Sequence, residues 1–396
     1  MTQVPFFIMS DNPLGNTGLA RIGGDLATLI STKMSDVFRV GYIGFGGPRS
    51  RHLPYELYPL QAVDDAIQFP RAWKDLAGDE PGILFAIMNP AWLKWLAFPE
   101  QLPDGELKTL LMSGKVKKWA YIPVDAVGPG DKLIRAEKEI IERMDRVLAY
   151  TAFGSRVIDR TVEWKNPPHL GACPHLPHGI DSSIFYPRDR HEARHSQFMR
   201  RVLKVNRGYI KDSVLLLGVV ATNTPRKDWG LAFEILADLK ARGIDVGMWA
   251  HTDRAEGAWD LNRLADAFGV KNEAIITEHH LSHEDMAWGY AACSVTLSIG
   301  AGEGWGFTGA ESLACGVRTI HGNYSGQTEY MPPELLIEPC AWRWDGTFCC
   351  RRPVFGAVDW VERILEYRDV PCKLDHEFTW DGAWPMWEKW LREGLQ

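Results

Sequence analysis

Residues 298–316 read SIGAGEGWGFTGAESLACG, with Glu303 and Glu311 eight positions apart among glycines 300, 302, 304, 306 and 309. Glycine lets a backbone approach a ligand closely, and the N–H groups at a helix start attract negative charge. The apolar run ending at Ile299 reads as a strand and the segment from about Thr308 as a helix. The glycines therefore fall in a strand-to-helix turn, the place where open α/β sheets bind ligands. Such a turn suits a phosphate-bearing ligand, although a purely structural glycine-rich turn fits those residues equally well. The carboxylates shift the balance. Glu303, inside the turn, would face the ligand, and Glu311, about one helical turn in, would reach a hydroxyl-rich group beside the phosphates.

The elements that must position this turn alternate twice along the chain. PFFIMS, FRVGYIGF, GILFAIM, KWAYIPV and RVLAYT are short apolar runs separated by amphipathic stretches such as LARIGGDLATLISTKM. That alternation predicts an α/β domain with a largely parallel sheet. LPHGIDSSIFYPRDRHEARHSQ breaks it with charge and no apolar period, which predicts a linker from about Asp181. A second series follows, from SVLLLGVVAT through DVGMWAH and EAIITE to SVTLSI. The expected division is an N-terminal domain over 1–180, a C-terminal domain over 181–375 and a closing helix over 376–396.

Composition bounds the function. The 396 residues carry a formal net charge of −7, which argues mildly against a general polyanion binder. Seven cysteines with no Cys-x-x-Cys spacing signal neither a disulfide framework nor a zinc site, and they fit a reducing cytoplasm. The N-terminal MTQVPFFIMSDNP lacks the pattern of a signal peptide, and the longest apolar run is broken by Asn89, Pro90 and Lys94. His279, His280 and His283 read as a polar loop before a helix more readily than as a metal cluster. Residues 188–211 are locally basic and read best as a solvated helical face. Cys315 reads as a buried structural cysteine, and Trp384, Trp387 and Trp390 as the packed face of the last helix.

EGWGFTGAE resembles the Glu-x7-Glu signature of the retaining glycosyltransferases of family 4, which have the GT-B fold. The likeness extends to PHGIDSSIFYP between the halves, to GNTGLARIGGDLATLI near the start and to FTWDGAWPMWEKWL at the end. It implies two doubly wound, Rossmann-like domains facing a cleft, and transfer of a sugar from a nucleotide diphosphate sugar, UDP-glucose or a close relative. By the resemblance, Glu303 would hold the sugar hydroxyls and stabilise developing positive charge, and Glu311 would bond the ribose. Backbone N–H groups at Gly306, Phe307 and Thr308 would cradle the diphosphate, with Gly15, Asn16, Thr17 and Gly18 approaching it from the first domain. Lys227 would neutralise the leaving phosphate.

Three positions depart from the family pattern. Thr222 stands where an Arg is common, leaving Arg226 as its substitute; Ser294 replaces an Asp; and PVDA replaces a His-Asp pair, making Asp125 the candidate for contact with the donor sugar or acceptor hydroxyl. No Asp-x-Asp pair occurs, so a metal-independent hexosyltransferase without a resident cofactor is expected. The default acceptor is a glycan or small hydroxylated molecule. The alternatives are hydroxymethylated pyrimidines in DNA, or a sugar-nucleotide-binding protein that no longer catalyses transfer. No stable membrane insertion is expected.

Overall fold

The computed structural model describes residues 3–15, 17–48, 52–60, 68–164, 172–202, 210–278, 280–368, 370 and 372–396. The chain divides into two compact units, Met1–Leu176 and Pro177–Gln396.

The first unit is built on β1 (Val4–Asp11), β2 (Phe38–Phe45), β3 (Glu56–Leu60), β4 (Gly82–Ile87), β5 (Val116–Ile122) and β6 (Arg146–Ala149). These form one sheet in the order β3-β2-β1-β4-β5-β6, parallel at every pairing. A sheet covered on both faces needs strands that are apolar throughout. β4, buried along its whole length, meets that demand. Helix Gly18–Lys33 follows β1 and starts where Thr17 accepts a hydrogen bond from the Ala20 N–H. Phe7, Trp73 and Phe69 interlock on one face of the sheet, with Phe7 and Trp73 stacked at 5.2 Å.

The second unit repeats the plan with β7 (Leu215–Val220), β8 (Val246–Thr252), β9 (Ala274–Glu278), β10 (Val295–Ser298), β11 (Thr319–Gly322) and β12 (Leu336–Ile337). Its order is β12-β11-β10-β7-β8-β9, again all parallel. Read from the other edge, this is the same doubly wound order as the first sheet, so the expected α/β class holds for both halves. In such a sheet the connections reverse direction between the first and fourth strands, here β7 and β10, and the loops leaving their carboxyl ends open a crevice.

The charged stretch after Asp181 is more than a tether. Residues Arg190–Arg194 and Gln197–Val202 are short helices of the second unit. Arg194 is only 1% exposed, and it donates to the carbonyl oxygens of Ala292, Lys211 and Val214 and to Ser294 Oγ. A lone buried guanidinium is costly, and four acceptors offset that cost. Ser294 is thereby committed to structure, since its Oγ also accepts from the Leu216 N–H. In the final helix, Trp380–Glu393, Trp384, Trp387 and Trp390 are buried, and Trp387 donates to the Pro177 carbonyl oxygen at 2.9 Å. Cys315 is buried as well. No helix among the described residues is long and apolar enough to cross a membrane.

Candidate functional site

The loops leaving β7 and β10 are stitched together by their backbones. Lys227 and Gly300 form an isolated antiparallel bridge, and the Ala301 N–H donates to the Arg226 carbonyl at 2.8 Å. This pairing brings Arg226, Lys227 and Glu303 into one cluster at the reversal point of the second sheet. Arg226 Nη1 lies 3.0 Å from Glu303 Oε1, and Lys227 Nζ bonds the same oxygen. Glu303 is 7% exposed. Burial pushes its carboxyl up, but Arg226 first and Lys227 next outweigh that and hold it at about 2. Glu303 is therefore an anion at neutral pH. A Cβ at position 300 would come within 2.5 Å of Glu303 Oε1, so glycine there leaves the carboxylate its place.

Helix Phe307–Ala314 begins directly after this cluster, with Gly306 as its N-cap and no side chain capping its first N–H groups. Uncapped amides and the helix dipole favour an anion at that end. Gly306 has φ +90°, and a Cβ on it would lie 1.8 Å from Gln327 Nε2. Only glycine meets both conditions. Thr308 Oγ1 donates to the Val220 carbonyl at 3.0 Å, anchoring the helix start to the end of β7. Glu311 is buried one turn in, and Tyr290 Oη donates to its Oε2 at 2.7 Å.

Four residues of this site carry no sequence signature. The Glu303 N–H donates to Ser325 Oγ at 2.8 Å, and the Gly326 N–H donates to the Glu303 carbonyl at 2.9 Å. Gln327, 1% exposed, packs on Gly306 and has no partner for its Oε1 among the described residues. His321 is fully buried, with Nδ1 2.8 Å from the Ser298 carbonyl oxygen. A carbonyl only accepts, so Nδ1 carries the proton and Nε2 presents a lone pair. That nitrogen has no partner among the described residues. Burial drives the His321 pKa down to about 4, against smaller upward effects of the Ser298 bond and Glu303. Trp305 closes the floor, with ring centroids 4.5 Å from His178, 5.0 Å from Tyr330 and 5.3 Å from Phe307.

The remaining sequence candidates stand in the first unit. Gly15 turns the chain after β1 through its N–H bond to the Asn12 carbonyl at 2.8 Å; Thr17 and Gly18 start the following helix, and Asn16 lies outside the described residues. Asp125 follows β5 and is half-buried; its charge adds to the burial that raises the Glu137 carboxyl above its ordinary value. Of the three histidines, His279 lies outside the described residues, while His283 opens helix His283–Ala292, whose cap is Ser282. Among the described residues, no three His, Cys, Asp or Glu side chains come together as a metal-holding group.

No protein-family model matches this chain, and none of the curated proteins matches it. Solved structures do. Sucrose-phosphate synthase from Thermosynechococcus elongatus superimposes with a TM-score of 0.72 at 16% identity, covering 99% of each chain. A UDP-forming α,α-trehalose-phosphate synthase from Burkholderia xenovorans, solved with glucose-6-phosphate, gives 0.65 at 11% identity and covers 100% of each chain. The Anabaena protein HepE, solved with UDP-glucose, gives 0.59 at 13% identity over 85% of this chain and 86% of its own. The fold of this chain is that of the GT-B glycosyltransferases.

Proposed function

We propose that the chain is a glycosyltransferase that takes a sugar from a nucleoside diphosphate sugar, with UDP-glucose as the model donor, and passes it to an acceptor hydroxyl with retention of configuration. The observation that carries this reading is the buried Glu303 carboxylate, held by the consecutive cations Arg226 and Lys227 beside an uncapped helix N-terminus. Glycosyl transfer builds positive charge on the sugar and negative charge on the departing diphosphate. A site for it needs one anion and several positive groups within a few ångströms, fixed in advance.

Arg226, Lys227 and the amides of Gly306, Phe307 and Thr308 receive the diphosphate, and Glu303 faces the sugar. Glu311 takes the ribose hydroxyls with the oxygen capacity that Tyr290 leaves over. His321 Nε2 and Gln327 Oε1 are neutral acceptors without partners, suited to sugar hydroxyls, which can donate. For the first unit, the roles of Gly15, Asn16, Thr17 and Gly18 at the diphosphate and of Asp125 at the acceptor or donor sugar rest on the family resemblance alone. The family resemblance gives retention by a same-face route, in which the leaving phosphate oxygen takes the acceptor proton and no covalent sugar–enzyme bond forms.

The similarity to the HepE structure solved with UDP-glucose supports the choice of donor, and the trehalose-phosphate synthase solved with glucose-6-phosphate supports a small sugar acceptor. A panel of UDP-, GDP-, ADP- and TDP-sugars, read by thermal shift and slow nucleotide release, tests the reading. Stabilisation by one nucleotide family, lost in Glu311→Ala, is expected. No response to any member of the panel refutes the donor site.

A further inference from the structure

Glu303 sits in a stretch of backbone that does little to hold it. Gly302 before it has φ +127°, which glycine alone adopts readily, and Gly304 follows it. Upstream the loop is pinned at Ala301, whose N–H donates to the Arg226 carbonyl at 2.8 Å and whose carbonyl accepts from Arg352, 2% exposed, at 3.4 Å. Past that point Arg226 Nη1 donates to the Gly302 carbonyl at 2.7 Å, and Arg226 and Lys227 hold the Glu303 carboxylate. These are the cations that the proposed function assigns to the diphosphate. A donor draws on the same guanidinium and ammonium, so Glu303 needs a second hold that a phosphate does not take.

The loop after β11 supplies one. Ser325 Oγ accepts from the Glu303 N–H at 2.8 Å, and the Gly326 N–H donates to the Glu303 carbonyl at 2.9 Å, so two consecutive residues grip both backbone groups of Glu303. The approach is close, since a Cβ on Gly326 would lie 2.1 Å from the Gly304 carbonyl oxygen. Ser325 is strained. It is 1% exposed at φ +65° and ψ −151°, a region that glycine occupies and other residues avoid. A glycine at 325 would keep the bonds that the Ser325 carbonyl accepts, from Thr328 Oγ1 at 2.7 Å and from the Thr328 N–H at 3.3 Å. The hydroxyl is therefore all that the serine adds. Strain of this kind costs about as much as leaving one buried N–H unpaired, so the serine makes the fold no stabler than a glycine would. What it fixes is where Glu303 stands.

We propose that Ser325 is a positioning residue for the transfer reaction, whose hydroxyl, on a strained backbone, keeps Glu303 in place while the donor occupies Arg226 and Lys227. This role rests on the function proposed above for Glu303. A charge that opposes developing positive charge is effective only when fixed in advance, and a misplacement of about 1 Å costs up to roughly 100-fold in rate. The Ser325 hydroxyl bonds the Glu303 backbone, so its effect reaches the sugar through Glu303.

Comparison of Ser325→Gly with Ser325→Ala tests this. Both remove the hydroxyl, but glycine also relieves the strain and alanine keeps it. A purely structural serine would make turnover follow stability, with Ser325→Gly near the wild type and Ser325→Ala below it. Positioning predicts a different pattern. Ser325→Gly melts close to the wild type and Ser325→Ala lower, yet both lose roughly 10- to 100-fold in kcat for release of UDP from UDP-glucose, with water as acceptor. Both keep the UDP thermal shift, and KM for UDP-glucose changes far less than kcat. Hydrogen exchange of the peptide spanning residues 299–307, read by mass spectrometry on the UDP-bound protein, is about tenfold or more faster in both variants. Wild-type kcat in Ser325→Gly, a loss confined to KM, or unchanged exchange in both variants overturns the positioning role and leaves the proposed function standing. A wild type that releases no nucleotide from any sugar nucleotide refutes that function itself.

Discussion

Glu303→Gln separates the two jobs assigned to this carboxylate, because the amide keeps its shape and removes its charge. In the folded chain the carboxyl sits at about 2, against an ordinary value of 4.5, because Arg226 and Lys227 overcome the upward push of burial. A difference of that size corresponds to about 3 kcal/mol of native stability at neutral pH. The sign follows from the depressed value: the contribution is complete above 4.5 and is lost as pH falls from there towards 2. In a unit of this size, about 3 kcal/mol moves the melting temperature by roughly 6–12 °C. The empty Gln variant should therefore melt lower than the wild type by that amount at pH 7, and the gap should close on acidification. UDP supplies the missing negative charge, so its stabilising shift should be larger in the variant than in the wild type. Turnover should move the other way, falling about 10²- to 10³-fold, since nothing remains to oppose charge on the sugar. Melting scans with and without UDP, together with initial rates, read all three quantities. A variant with wild-type melting and a wild-type UDP shift would refute the cation-holding role.

Glu311→Ala should abolish the UDP thermal shift and cost about 1–3 kcal/mol, because Tyr290 Oη loses its buried acceptor; Tyr290→Phe should keep the UDP shift, and its loss there would place the ribose contact elsewhere. Gly306→Ala should destabilise the second unit by about 2 kcal/mol or more, through its positive φ and the overlap with Gln327. Calorimetry on Gly306→Ala/Gln327→Ala should show part of that loss recovered. The His321 pKa lies at about 4, below its ordinary 6.5, so it gives stability present above 6.5 and lost as pH falls through 4. Over that interval the unfolding free energy of the wild type, read from urea titrations, should fall more steeply than that of His321→Phe, by about 1.4 kcal/mol per pH unit.

Alternating apolar runs made both parallel sheets legible, because strands buried on two faces must be apolar throughout, as β4 is. The strand-to-helix turn that carries Glu303 was legible because its glycines and two glutamates lie within a dozen residues of one another. Arg226 and Lys227 are far from it in sequence and were reached only through a family resemblance. His321, Ser325, Gln327 and Arg352 were not reached at all. Each is a single polar residue in its own stretch, and what recruits it is the parallel order that sets β11 beside β10. Ser325 at φ +65° and Gln327 against Gly306 are consequences of that neighbourhood, with no local spacing to announce them. The stretch after Asp181 was misjudged for a related reason. Its charge suggested solvent, yet Arg194 is satisfied by a carbonyl and a hydroxyl some hundred residues away, those of Ala292 and Ser294.

The pairing of Glu303 with two cations has a consequence for the empty site. Arg226 and Lys227 must stay charged and fixed to receive a diphosphate, yet two like charges beside a helix N-terminus repel one another and attract any passing anion. A buried carboxylate between them supplies the counter-charge while the site is empty. In the proposed function, the donor's phosphates take over that task on binding and leave Glu303 facing the sugar, so that one side chain would stabilise the free fold and the reacting state in turn. Lys227→Met should therefore raise the Glu303 carboxyl towards its ordinary value and weaken UDP binding together. Carboxyl NMR titration of the free protein measures the first effect. A carboxyl that stays near 2 in Lys227→Met would mean that Arg226 holds it alone and that Lys227 serves only the phosphate.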